Sequence, residues 1–355
     1  MKINGVSYRS IWLSDNGWSV NIFDQRKLPW ELEIVELRTA ADATCAIKEM
    51  WTRGAPLLAM TAAYGLCLAL RENASDQSLD SFYKIFLSTR PTAVNLRWAL
   101  DEMMKAVKPF QGRQRIEAAY MRAGDLCEED IAINRAIGNH GLPLIKNLAL
   151  KCPGRPINIL MHCNPGWLAT VDYGTATAPI YFAHDAGIPV HVWVDETRPR
   201  NQGVLTAFEL AQHGVPHTLI TDNAGGLLMQ QGKIDLCFVG ADRVTRNGDT
   251  ANKIGTYLKA VVAKDNNVPF YVALPYTTFD PSLESGDRIL IEERNAEEIT
   301  IVQGKILNGD LASVRISEAP VFNPGFDITP ARLITGYITD KGIKEKPQDL
   351  YAKAA

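Results

Sequence analysis

Between residues 157 and 274 the chain repeats one pattern: a short apolar run, a polar cluster, then a stretch long enough for a helix. The runs cover 157–162, 190–194, 218–220, 236–239 and 270–274. Each has strand length, and each spacer can return the chain across a sheet. Alternation of this kind predicts a parallel, doubly wound sheet, because a parallel partner can be reached only through a crossover.

The first 150 residues read differently. Trp18, Val20 and Ile22 alternate with polar residues, as do Leu32 and Ile34, which predicts short half-buried strands. From residue 39 to about 140 the period becomes helical: Leu96, Leu100, Met103 and Val107 share one face of a segment that Pro109 ends. With 355 residues, about twice the usual domain length, the expectation is an α/β protein of two domains. Residues 1–150 form a small, mainly helical N-terminal domain with a few strands, and 151–355 a Rossmann-like domain.

Composition excludes several classes. Apolar residues at 46% and charged ones at 22% are the balance of a globule with a real core. A net charge of -3 lacks the basic excess that nucleic-acid binding calls for, but leaves room for a local anion pocket. The six cysteines are scattered, with no Cys-x-x-Cys pair, which argues against a zinc site or disulfide scaffold and for the reducing cytoplasm. MKINGVSYRS has no apolar core behind its lysine, so it does not read as a secretory signal. The longest uncharged run, 55–70, falls short of the roughly 20 residues a bilayer span needs.

Doubly wound sheets gather ligands at the carboxyl ends of their strands. Cys163 directly follows the first run, where a thiol could act as a nucleophile or sit buried and inert. His162 is next to it, but neighbours in a strand point to opposite faces, so the ring should not touch the sulfur. Asp242 follows the fourth run and reads either as a proton shuttle with a raised pKa or as a capping aspartate paired with Arg243. Arg53, Gly54, Ala55 and Pro56 resemble a helix start that offers backbone N–H groups to an anion, or one whose arginine meets only solvent. Arg97 could add a second positive charge or lie on a helix surface, while Asn252 and Lys253 read as opening a helix over 254–263. Gln202 adds an uncharged hydrogen-bonding group. Neither Gly-x-Gly-x-x-Gly after a strand nor a phosphate-loop lysine motif is present. One thiol, one carboxylate, cations and amides suit proton movement on a phosphorylated, hydroxyl-rich small molecule.

Eight blocks in order carry a stronger signal: RGAPLLAMTAAYGL, NLRWAL, HCNPGWLATVDYGTA, DETRPRNQG, TDNAGGLLM, VGADRV, NGDTANKIGTYLKA and NPGFDITPARLITG. Together they resemble the methylthioribose-1-phosphate isomerases, a family related to the regulatory subunits of a translation initiation factor's exchange factor. The match runs from about Trp18 to Lys341. The resemblance implies a homodimer that converts 5-methylthioribose 1-phosphate to 5-methylthioribulose 1-phosphate in methionine salvage, without metal or organic cofactor. It also implies that Cys163 and Asp242 are the catalytic pair, and that Arg53, Gly54, Ala55, Arg97, Gln202, Asn252 and Lys253 contact substrate. Two alternatives stand beside it: a 5-deoxyribose 1-phosphate isomerase, and a non-catalytic regulatory-type subunit. Trp167, where the family pattern leads to a smaller residue, is expected to reshape the pocket.

Overall fold

The structure, a computed structural model, describes residues 1–90 and 93–351. It is an α/β fold: a largely helical N-terminal region precedes a seven-stranded sheet. In spatial order that sheet runs Gly342–Lys344, Gly336–Thr339, Phe270–Ala273, Leu236–Val239, Ile157–His162, Val190–Asp195 and His217–Ile220. All neighbours are parallel except the hairpin at the Gly342–Lys344 edge. The five apolar runs therefore all become strands, and Gly336–Thr339 and Gly342–Lys344 join them.

The order of filling matters for function. From Ile157–His162 the chain builds outward through Val190–Asp195 to His217–Ile220, then returns to place Leu236–Val239 on the other side of the first strand. Helices leaving these two neighbours go to opposite faces, and a crevice opens between the strand ends. Cys163 stands at the end of one strand, and Gly240 to Asp242 at the end of the other.

The N-terminal strands Ile11–Leu13, Val20–Phe23 and Ile34–Leu37 form an antiparallel sheet. Beside them lies the Ala55–Glu72 helix, buried at every position from Ala55 to Leu70. A helix apolar on all sides must be surrounded by protein, and this one packs on the Ala40–Lys48, Asp76–Thr89, Val94–Val107 and Gly112–Lys151 helices. The Gly112–Lys151 helix has 40 residues; Ala119, Ala123 and Leu126 enter the N-terminal core, and Ile137 and Ile145 enter the core beneath the large sheet.

Asn252 and Lys253 correct the sequence reading. They end a strand, Thr250–Lys253, paired with Arg243–Thr245 and Phe326–Thr329, and the helix begins only at Thr256. The pairing partner Phe326–Thr329 lies more than 70 residues downstream, so local periodicity could not announce it.

Candidate active site

Cys163 holds a backbone φ of 69°, a left-handed conformation that non-glycine residues seldom adopt. Threonines clamp it: the Cys163 N–H donates to Thr197 Oγ1 at 2.9 Å, and Thr206 Oγ1 donates to the Cys163 carbonyl at 2.9 Å. Backbone strain held in this way is characteristic of functional turns. Behind it the buried Glu209 accepts from Asn164 Nδ2 and from the Trp167 and Leu168 N–H groups, fixing the Asn164–Leu168 loop. Burial pushes the Glu209 carboxyl up to about 7 despite these donors.

Cys163 and Asp242 line one cavity of about 160 Å³. The Asp242 N–H donates to the Ala251 carbonyl at 2.9 Å, which fixes the backbone and leaves the carboxyl without a hydrogen bond or ion pair among the described residues. Arg243, its sequence neighbour, instead faces Asp280 at 3.7 Å. Burial raises the Asp242 pKa to about 6, with the Lys253 and Arg90 charges pulling it back. Burial likewise raises the Cys163 thiol to about 11, opposed by Lys253 and reinforced by Asp242. Thiol and carboxyl thus feel each other and the same ammonium.

Cations gather around them. Burial lowers the Lys253 pKa, and its Nζ donates to the Gly325 carbonyl at 2.9 Å, 4.9 Å from the Phe326 ring centre. Arg53 is pushed down to about 9, first by burial and then by Arg200; it donates to the Gln25 carbonyl, but its buried Nε has no partner. Gly54 begins the buried helix at φ 91°, and a Cβ there would fall 2.4 Å from Ala169 Cβ, so only glycine lets the helix start approach the loop after Cys163. Ala55 and Pro56 follow on the cavity wall. Gln202 also lines the wall with a buried, unpartnered Oε1, and Asn252 is held by a 2.9 Å bond from its amide to Thr256 Oγ1.

Arg97 is not brought to this cavity. It lies exposed on the Val94–Val107 helix, whose buried face is Leu96, Ala99, Leu100 and Met103. Arg90 takes a place in the wall instead, ending the Asp76–Thr89 helix. Its side chain is 11% exposed, its Nε is unpartnered, and its pKa is lowered by burial and by Arg294, with Glu292 3.6 Å away. The sequence did carry a signal for it: an arginine directly before Pro91 must leave the helical conformation and enter a loop. Trp167 stays outside the cavity, packed edge-on to Phe23 with ring centres 6.1 Å apart, so the expected reshaping does not occur there.

Three partly buried cations, Arg53, Arg90 and Lys253, share a small space with the carboxyls of Asp242 and Glu292. Burying that much positive charge is costly unless an anion completes it. One cluster of possible metal ligands was found among the described residues: His162, Asp195 and Asp222. Both ring nitrogens of His162 already face acceptors, and the Lys259 ammonium lies 3.2 Å from Asp195.

The model of the initiation factor 2 subunit family matches residues 51–346. A protein of Sinorhizobium medicae named methylthioribose-1-phosphate isomerase is 57% identical, over 99% of this chain and 98% of its own. The chain belongs to the initiation factor 2 subunit family, among the methylthioribose-1-phosphate isomerases. Like this family member, the 5-methylthioribose 1-phosphate isomerase from Pyrococcus horikoshii OT3 has the same architecture, with TM-score 0.83, 37% identity and coverage of 98% and 95% of the two chains. So does the translation initiation factor eIF-2B, subunit delta, from A. fulgidus, with TM-score 0.79, 38% identity and coverage of 97% and 98%. The family fold therefore accompanies both names, and the contents of the cavity must separate them.

Proposed function

We propose that this family member is an aldose–ketose isomerase converting 5-methylthioribose 1-phosphate to 5-methylthioribulose 1-phosphate, a step of methionine salvage. The observation that carries this reading is the placement of Cys163 and Asp242 in one cavity at the point where the sheet reverses its strand order, beside Arg53, Arg90 and Lys253. A regulatory subunit has no use for a thiol and a raised carboxyl facing a surplus of partly buried cations.

The phosphate on the anomeric carbon prevents spontaneous ring opening, so opening needs acid help. Asp242, in its protonated form, donates to the ring oxygen as the C1–O bond breaks. The C2 hydrogen then reaches C1 by one of two routes. It moves with its electron pair, or it leaves as a proton to the Cys163 thiolate and comes back to C1; on either route the C2 hydroxyl returns a proton to Asp242. Either way the ring oxygen gains one proton, the C2 oxygen loses one, and nothing else is consumed. Arg53, Arg90 and Lys253 hold the phosphate, with the Gly54 and Ala55 backbone at the helix start; Gln202 and Asn252 meet hydroxyls. These residues supply acid, base and cations, so no metal or organic cofactor is called for.

The test is turnover of the purified chain followed by proton spectroscopy of the product, run also in deuterated water. Expected is the 1-phosphoketose; deuterium at C1 selects the proton route, and its absence the hydride route. No ketose from this sugar would overturn the reading. Met50, Leu58, Ile289 and Phe326 give the cavity an apolar side that suits a methylthio group. We therefore expect kcat/KM for the methylthio sugar to exceed that for 5-deoxyribose 1-phosphate by about tenfold or more, the value of a few buried heavy atoms. Equal values would favour the 5-deoxy alternative.

We also assign a two-domain organisation, 1–150 and 151–355, a homodimer and a cytoplasmic setting. The Ala224–Gln230 and Thr256–Asp265 helices pack together and expose Leu227, Tyr257, Leu258 and Val261, an apolar surface that supports self-association. Light scattering should give twice the 39.2 kDa chain mass and fall to one chain for Leu258→Asp; a monomeric parent would remove the assignment. All six cysteines are free, as a reducing compartment requires, and no helix of the described residues is long and apolar enough to cross a membrane.

A further inference from the structure

His162 is 1% exposed and does not line the cavity to which Cys163 contributes. Its Nδ1 lies 2.9 Å from Asp195 Oδ2, and its Nε2 lies 2.9 Å from the Ile254 carbonyl. Both ring nitrogens therefore meet oxygens of other chain segments. The charges packed around it are Asp195, Asp222 with an oxygen at 4.0 Å, Lys259 on Asp195, and Asp327, whose carboxyl accepts the Gly255 N–H. Gly255 closes the other side at φ 103°, where a Cβ would fall 2.9 Å from the His162 ring.

These contacts join three separate pieces of chain. The ring belongs to the strand that ends at Cys163; Asp195 ends the next strand and reaches Cys163 through Thr197; Ile254 directly follows Lys253. Resting on the function proposed above, we infer that His162 is a positioning residue: its two hydrogen bonds fix the turn carrying Lys253 to the strand end carrying Cys163, so that ammonium and thiol face the same substrate. The mechanism itself gives His162 nothing to do, because the ring touches neither the cavity nor the sulfur.

The prediction is a coupling between two residues that do not touch. Lys253 favours the Cys163 thiolate, so loosening its turn should slow alkylation of that sulfur. In the full-length chain at pH near 8.5, we expect His162→Gln to slow iodoacetamide labelling of Cys163 by about threefold or more, because a glutamine cannot reach both acceptors. Lys253→Met should slow it as well. The double variant should be no slower than Lys253→Met alone, since the histidine acts through the lysine. kcat should fall by about tenfold or more in His162→Gln. Parental labelling in His162→Gln, or slowing in the double variant equal to the product of the singles, would overturn the inference. If His162→Gln does not fold, Asp195→Asn loosens the same ring and is judged by the same outcomes. A parent chain that isomerises no sugar phosphate defeats the proposed function, while the labelling cycle still decides the role of His162.

Discussion

Replacing Asp242 by asparagine should lower kcat/KM by about a thousandfold or more while leaving the chain folded, because a positioned proton donor is worth roughly 10²–10⁴ in rate and the amide keeps the shape. The pH profile should change with it. On the hydride route the rate follows protonated Asp242: it is full below about 6 and falls as pH rises through that value. On the proton route, which also needs the Cys163 thiolate, the pair must hold one proton, so the rate is highest between about 6 and about 11 and falls on either side. Asp242→Asn should lose the inflection near 6. A parental profile without an inflection near 6, or a variant that keeps it, would remove Asp242 from the chemistry.

The second large effect concerns the arginines. Arg90→Met should raise KM by about ten- to a hundredfold, the cost of one charge-assisted contact to a phosphate in a desolvated site. Arg97→Met should change it by less than about twofold, as expected of an exposed helix position. The opposite ranking would restore the assignment drawn from the NLRWAL block. Steady-state kinetics on the two variants decides between them, and inorganic phosphate as a competitive inhibitor gives the same comparison without turnover.

These two arginines show where the sequence was readable. The large sheet was legible because its inner strands, Ile157–His162, Leu236–Val239 and Phe270–Ala273, are apolar runs largely buried on both faces. Cys163 and Asp242 were legible for the same reason, since each directly follows a run and the ends of neighbouring strands are where a crevice forms. Arg53, Gly54 and Ala55 were fixed by the helix they start. The proline after Arg90 put that arginine in a loop, but which of Arg90 and Arg97 meets the cavity depends on how the Asp76–Thr89 and Val94–Val107 helices are rotated against the Ala55–Glu72 helix, a tertiary matter that residue spacing does not encode. The strand ending in Lys253 was hidden because its partner, Phe326–Thr329, is remote in the chain. The double engagement of His162 was hidden too, since it rests on a backbone carbonyl, which has no letter in a sequence.

The Gly112–Lys151 helix has a mechanical consequence. At about 1.5 Å per residue it is a rod roughly 60 Å long, with one stretch seated in the N-terminal core and the other under the large sheet. Swinging the two halves apart would mean pulling side chains of one continuous helix out of one core or the other. Access to the cavity is therefore cheapest at wall residues outside that helix, such as Leu290, which is 81% exposed.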